Sequence, residues 1–186
     1  MNSSRTPLDL DLWLDKSLIQ RQNQLKYQFI EVFEEVGNSF SNEELKQFFP
    51  SSKGKKITKG NDLEGFPYLV LDLVRDFDLD SGLNIRFLNW FGHGMYLALF
   101  FGKNISFPSP LLLENGFHFG LVDKPWDFPE LILNKKYTER IAEIEPINST
   151  TFKLWIKEIQ VEKEKNELEN CLKSEIKKIL ELNQKS

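Results

Sequence analysis

The chain has 186 residues, of which 40% are hydrophobic and 28% are charged, and its formal net charge is −4. This length fits one domain, residues 1–186, with a substantial core. The acidic balance argues against a nucleic-acid-binding protein that works through bulk electrostatics. The single cysteine, Cys171, excludes a disulfide within the chain and is typical of a reducing compartment.

The first residues, MNSSRTPLDLDLWLD, lack the cationic start and the apolar core of a signal peptide. No run approaches the ~18 apolar residues that span a bilayer. We therefore predict a cytoplasmic protein without membrane contact. The two histidines, His93 and His118, and the one cysteine do not have the spacing of zinc ligands, so we expect no metal and no cofactor.

Helical spacing dominates about residues 8–49. Apolar residues recur at three- and four-residue steps from Leu18 to Val36, which predicts a long first helix with Gly37 as its C-terminal cap. A capping-box pattern at Ser41 predicts a second, short helix from Asn42 to Phe49.

A polar stretch, residues 51–60, follows with four lysines and two glycines. Flexible basic loops of this kind can cradle an anion through their backbone amides. The stretch lacks the glycine and lysine spacing of a P-loop. We interpret it as a solvated loop, with weak contact to phosphate or to a partner as the alternative.

Three runs rich in β-branched and aromatic residues occupy residues 66–102. They extend from Phe66 to Val74, from Leu83 to Trp90 and from Met95 to Phe101, and glycines break the chain around His93. This pattern predicts an antiparallel meander of three strands at the centre of the sheet.

The alternation of side chains along these strands predicts their register. If Asp72 lies opposite Arg86, Tyr68 lies opposite Trp90, and one sheet face becomes wholly apolar. Helices would cover that apolar face. On the opposite face we expect an Asp–Arg pair framed by Tyr68, Trp90 and Tyr96.

Between the first two strands, the acidic run at Asp76, Asp78 and Asp80 is similar to the start of a calcium-binding loop. The sixth and twelfth positions of such a loop require Gly and Glu, and here they are Ser81 and Phe87. We therefore interpret the run as an acidic hairpin loop.

Two further strands are predicted, from Phe117 to Val122 and from Phe152 to Val161. Between them, residues 123–129 form an aromatic loop stiffened by two prolines, which should hold Trp126 in place. Together these elements predict an α+β fold. It has an antiparallel sheet of about five strands in residues 55–161, packed by N- and C-terminal helices.

A closing helix is predicted over about residues 162–183. Its polar surface carries a narrow apolar stripe: Leu168, Cys171, Leu172, Ile176, Ile179 and Leu180. Such a stripe either docks on the sheet of the same chain or pairs with a copy of itself. The second alternative would make the protein a structural homodimer.

The leading functional hypothesis is a non-enzymatic binding or adaptor module for a protein partner or a small ligand. The predicted contact surface is the polar sheet face with its aromatic loop: Tyr68, Asp72, Arg86, Trp90, Tyr96 and Trp126. The alternative is a small enzyme with an acid–base or anion-binding pocket at Asp72, Arg86 and His93. Two plainer interpretations compete with both. Asp72 and Arg86 can be a cross-strand ion pair, and His93 a polar turn residue.

The segment of about residues 54–102 resembles a group of uncharacterised bacterial proteins. The likeness rests on Lys59-Gly60-Asn61, on Gly65-x-Pro67-Tyr68-Leu69-Val70-Leu71-Asp72, on Arg86 and on Trp90-Phe91-Gly92. That group has no assigned activity. The resemblance implies a bacterial cytosolic protein and no mechanism.

Overall fold

The computed structural model describes residues 7–148 and 151–184. In these ranges the chain forms a seven-stranded antiparallel sheet with the strand order β1-β2-β3-β4-β7-β5-β6. The strands are β1 (Lys56–Leu63), β2 (Phe66–Arg75), β3 (Leu83–Trp90), β4 (Gly94–Phe101), β5 (His118–Gly120), β6 (Tyr137–Thr138) and β7 (Lys153–Ile159). The helices are α1 (Leu10–Leu14), α2 (Lys16–Asn38), α3 (Asn42–Phe48), α4 (Ser109–Glu114), α5 (Phe128–Leu133), α6 (Ile141–Asn148) and α7 (Lys165–Gln184).

The α+β class and the central meander are confirmed, and the sheet has two strands more than expected. Strand β1 includes much of the stretch that we interpreted as a loop, and it pairs only with β2, at one edge of the sheet. Strand β1 lacks apolar alternation because none of its residues is fully buried on either face of the sheet, and its lysines are typical of an exposed edge. Strand β6, at the other edge, is only two residues long.

The predicted register of β2 and β3 is confirmed: Asp72 lies opposite Arg86, and Tyr68 lies opposite Trp90. After Asp72 the register shifts, and Val74 pairs with Ile85. Strict alternation along the strand predicts that Val74 shares the polar face with Asp72, and this prediction is wrong. The irregularity turns the Val74 side chain into the apolar core under the helices.

The first long helix continues through the glycine that we expected to cap it. Gly37 is buried inside α2, where an added Cβ would lie 3.6 Å from Leu71, and the helix ends at Asn38. Lys55 donates from Nζ to the carbonyl oxygens of Gly37 and Phe40, at 2.8 and 2.6 Å. The lysine thus satisfies carbonyl groups at the end of the helix. The predicted cap of α3 is confirmed, since the Ser41 hydroxyl accepts from the Glu44 amide at 3.0 Å.

Helices α2 and α7 cover the apolar face of the sheet. The stripe of α7 is buried there through Leu168, Leu172, Ile176 and Ile179, so this helix docks on its own chain. Its polar edge is tied to β7, because Lys157 donates to Glu175 at 2.6 Å.

The opposite face is covered as well. Helix α5 and the aromatic loop before it lie over the middle strands, where they bury a second apolar cluster. This cluster includes Val70, Trp90, Phe100, Phe128 and Leu131. The sheet is therefore the central layer of three. Among the described residues, no helix has the length and apolar character needed to cross a bilayer.

Candidate functional site

Asp72 and Arg86 form a buried, multiply bonded pair at the centre of the sheet. The Asp72 Oδ1 atom accepts from Arg86 Nε at 2.9 Å and from Asn84 Nδ2 at 2.9 Å, and Arg86 Nη2 lies 2.9 Å from the same oxygen. Asp72 is only 3% exposed. A carboxylate this deeply buried requires such partners, because a charge left alone in the interior costs several kcal/mol.

Aromatic rings close over the guanidinium group. The Arg86 Cζ atom lies 4.6 Å from the centre of the Trp126 ring, 5.6 Å from that of Phe77 and 5.9 Å from that of Phe128. The rings of Phe77 and Trp126 meet edge to face at 5.1 Å. The cation–π contacts hold the aromatic loop against the sheet, which leaves the ion pair beneath a cover supplied by the same chain.

The aromatic residues predicted to frame the pair are used inside the molecule. Trp90 is fully buried and donates from Nε1 to the Leu63 carbonyl at 3.0 Å. The half-buried Tyr68 lies against Gly60, where an added Cβ would be 2.1 Å from its ring, so only glycine leaves room for this contact. Burial, and then the nearby Glu158 carboxylate, raise the pKa of Tyr96.

His93 lies at the β3–β4 turn and is separated from the ion pair. Its ring packs on Trp90, with 4.1 Å between ring centres, and on Phe66 at 4.6 Å. Arg86 and Trp90 are four positions apart on β3, which corresponds to about 13 Å along the strand. The structure therefore brings together Asp72, Arg86 and Trp126, and it does not bring His93 to them.

The acidic loop before β3 uses its carboxylates to shape its own backbone. Asp78 Oδ1 accepts from the amides of Asp80 and Ser81, at 3.0 and 2.7 Å, and from the Ser81 hydroxyl at 2.9 Å. The Ser81 amide is the main cause of a lowered Asp78 pKa. Among the described residues there is no group of three or more His, Cys, Asp or Glu side chains placed to hold a metal ion.

A second histidine lies next to a carboxylate at the far edge of the sheet. His118 Nδ1 is 2.9 Å from Glu139 Oε1, without the angles of a hydrogen bond, and the imidazole packs on Tyr137. An open depression of about 650 Å³ lies beside Tyr137 and Glu139, and Arg140 and Glu143 also line it. Because the Glu139 side chain is 69% exposed, solvent screens this pair strongly.

The N-terminal arm, residues 8–15, is a surface that the sequence analysis missed. None of the residues of α1 is buried. The large apolar side chains of the arm are all more than half exposed: Leu8 84%, Leu10 54%, Leu12 52%, Trp13 69% and Leu14 62%. The signal in the sequence was the alternation of Leu and Asp, whose period of two is typical of a half-buried strand, whereas the segment forms the short helix α1 with no residue in the core.

The first half of α2, residues 16–29, extends this apolar surface. Ile19, Leu25 and Tyr27 remain 42%, 46% and 57% exposed, and the buried positions of the helix begin only at Ile30. Next to Leu25 lies a depression of about 420 Å³ between α2 and the β-hairpins, which Phe66 also lines. The helix layer therefore covers the sheet with the second half of α2 only.

Comparison of the chain with family models, with curated proteins and with solved structures found no match. The resemblance of residues 54–102 to uncharacterised bacterial proteins therefore stays a prediction.

Proposed function

We propose that the protein is a non-enzymatic binding or adaptor module whose contact surface is the N-terminal arm with the exposed first half of α2. The observation that carries this proposal is the exposure of every large apolar side chain from Leu8 to Leu14. Folded proteins rarely leave such side chains contiguous and uncovered unless another molecule covers them. Tryptophan, here Trp13, is also enriched among the residues that contribute most of the binding energy at protein interfaces.

This proposal moves the contact surface away from the sheet face. Asp72 and Trp90 are buried, and the rings over Arg86 come from the same chain, so a partner would have to displace the aromatic loop to reach them. In the adaptor these residues stabilise the scaffold that carries the arm.

The enzyme alternative has weaker support. A general acid or base must come within hydrogen-bond reach of a bound substrate, together with the groups that orient that substrate. The spacing between Arg86 and His93 works against a shared pocket, and the ion pair lies beneath Trp126.

Site-specific photo-crosslinking tests the proposal. A photoreactive phenylalanine analogue replaces Trp13 in the full chain, and a matched variant carries it at Glu43, an exposed position of α3. In lysate of the source cells we expect a discrete protein adduct from position 13 and none from position 43. Adding Leu12→Glu and Leu14→Glu should abolish the adduct, because charges on the arm prevent its burial.

Equal, diffuse labelling from both positions would contradict the proposal. Circular dichroism of each variant provides the folding control. The arm contributes nothing to the buried core, so the spectra should match that of the wild type apart from the short α1 helix.

A further inference from the structure

We propose that the partner of this surface is a second copy of the chain, and that the two copies exchange their N-terminal arms. The arm of each copy would lie along the first half of α2 of the other. This inference rests on the proposed function and names the partner of the same surface. Three observations, on charge, apolar surface and connectivity, support it, and a two-fold axis would close the assembly.

The two surfaces carry opposite charge. The arm contains Asp9, Asp11 and Asp15 and no basic residue. Residues 16–30 contain Lys16, Arg21 and Lys26 and no acidic residue. Along this stretch of the chain, a purely acidic segment is thus followed by a purely basic one. Such separation of sign favours association between copies in which the arm of one meets α2 of the other.

The basic side chains of α2 adjoin its exposed apolar surface. Arg21 and Leu25 line a depression of about 410 Å³ along the helix. Lys26 lines the neighbouring depression of about 420 Å³, together with Leu25 and Phe66. Leucine and tryptophan side chains with carboxylates beside them match this surface in both apolar character and sign. Burying these side chains there would stabilise the contact, because it removes apolar surface from water.

The connection between α1 and α2 argues for contact between copies rather than within one. Asp15 ends α1 and also caps α2, where its carboxylate accepts from the Leu18 amide at 2.9 Å. No linker separates the two helices. Leu25 lies ten positions beyond Asp15, about 15 Å along α2, so an arm that folded back on its own helix would have to break this cap.

If the two copies exchange their arms about a two-fold axis, the arm of each copy contacts the first half of α2 of the other. No complementary surface is then left over, so the assembly stops at a dimer. Each arm then leaves its own α2 at the capped end and reaches the basic half of the other α2. The apolar stripe of α7 is already buried in its own chain and is not needed for this contact.

Sedimentation and light scattering with reciprocal charge variants test the exchange. The wild-type protein should sediment as a dimer, with twice the 21.8 kDa mass of one chain. The dimer should dissociate as the salt concentration is raised. In variant Arg21→Glu/Lys26→Glu, the arm and the first half of α2 are both acidic. In variant Asp9→Lys/Asp11→Lys, the arm and the first half of α2 are both basic. Each alone should be a monomer. Mixed in equal amounts they should form a heterodimer, because each arm then meets an α2 of opposite charge.

Two controls keep the result interpretable. The variant Glu43→Lys/Glu167→Lys makes the same change of charge on exposed positions of α3 and α7 and should remain a dimer. Asp9 caps α1 by accepting from the Leu12 amide at 2.9 Å. The variant Asp9→Asn/Asp11→Asn removes the charges but retains a capping side chain, so α1 should still form. It should raise the dissociation constant of the dimer at least tenfold.

A monomeric wild-type chain at all concentrations overturns the exchange, and so does a mixture of the two variants that stays monomeric. In either case a surviving crosslink from position 13 to a different protein would leave the adaptor proposal standing. Loss of that crosslink would remove the adaptor proposal as well.

Discussion

The cluster around Arg86 and the N-terminal arm have similar compositions and opposite environments. Both combine aromatic or leucine side chains with charged groups. Around Arg86, rings from two loops and a helix close over an ion pair whose carboxylate is 3% exposed. In the arm, Trp13 is 69% exposed, and no residue of α1 is buried.

The difference shows that composition and strand register identify which side chains lie together but not what covers them. The aromatic loop reaches back over β3, and α5 continues its path across the sheet. The arm precedes α2, and within residues 7–148 and 151–184 no later segment buries it. An apolar surface covered by its own chain stabilises the fold, whereas one left uncovered is available to a partner.

The largest effect is expected at the covered cluster. Arg86→Met should lower the free energy of unfolding by about 3–5 kcal/mol, because it leaves the Asp72 carboxylate buried without its cation. Urea unfolding followed by circular dichroism measures this change.

The double variant Asp72→Leu/Arg86→Met is the matched control. It removes both charges and should recover much of the lost stability, since no unpaired carboxylate remains in the interior. If Arg86→Met unfolds within about 0.5 kcal/mol of the wild type, the pair does not have the structural role that we assign to it.

An intermediate effect is expected where α7 is tied to the sheet. Burial alone would raise the pKa of Glu175, but hydrogen bonds from Lys157 and Lys178 outweigh burial and lower it. The stabilisation that ionised Glu175 contributes is therefore fully present at pH values above its unfolded-state pKa of about 4.3. It is lost as the pH falls through the lower pKa that Glu175 has in the folded protein.

Glu175→Gln should remove this part of the acid sensitivity and cost on the order of 1 kcal/mol at pH 7. The free energy of unfolding, measured for both proteins from pH 7 to pH 3, tests whether the contribution of Glu175 is lost in acid. A variant whose stability falls with acid as steeply as that of the wild type would show that Glu175 is not the group responsible.

The smallest effect on stability is expected at the arm. Trp13→Ala should change the free energy of unfolding of the monomer by no more than about 0.5 kcal/mol, because the side chain is 69% exposed and lies outside the core. The measurement needs protein dilute enough to exclude association. A loss of 2 kcal/mol or more would mean that the arm is covered within the chain, and the contrast with the Arg86 cluster would disappear.

Local patterns were sufficient for much of this fold. The meander, the pairing of Asp72 with Arg86, the cap at Ser41 and the apolar stripe of α7 all follow from side-chain periods and capping chemistry, which act over a few residues. Strand β1 escaped prediction because an edge strand is held by backbone hydrogen bonds that polar residues form equally well. Gly37 was assigned as a cap from its type alone, whereas α2 continues to Asn38 and the Gly37 carbonyl accepts from Lys55, eighteen residues along the chain.

The sequence by itself determined which residues share a strand face or a helix stripe, because those periods are properties of the backbone. Only the tertiary structure decided which of these surfaces are covered. Coverage depends on contacts between segments far apart in the chain, as when Trp126 meets Arg86 across forty residues. The same contacts leave the arm and residues 16–28 of α2 largely exposed, whereas the next residue, Phe29, already packs on Phe91.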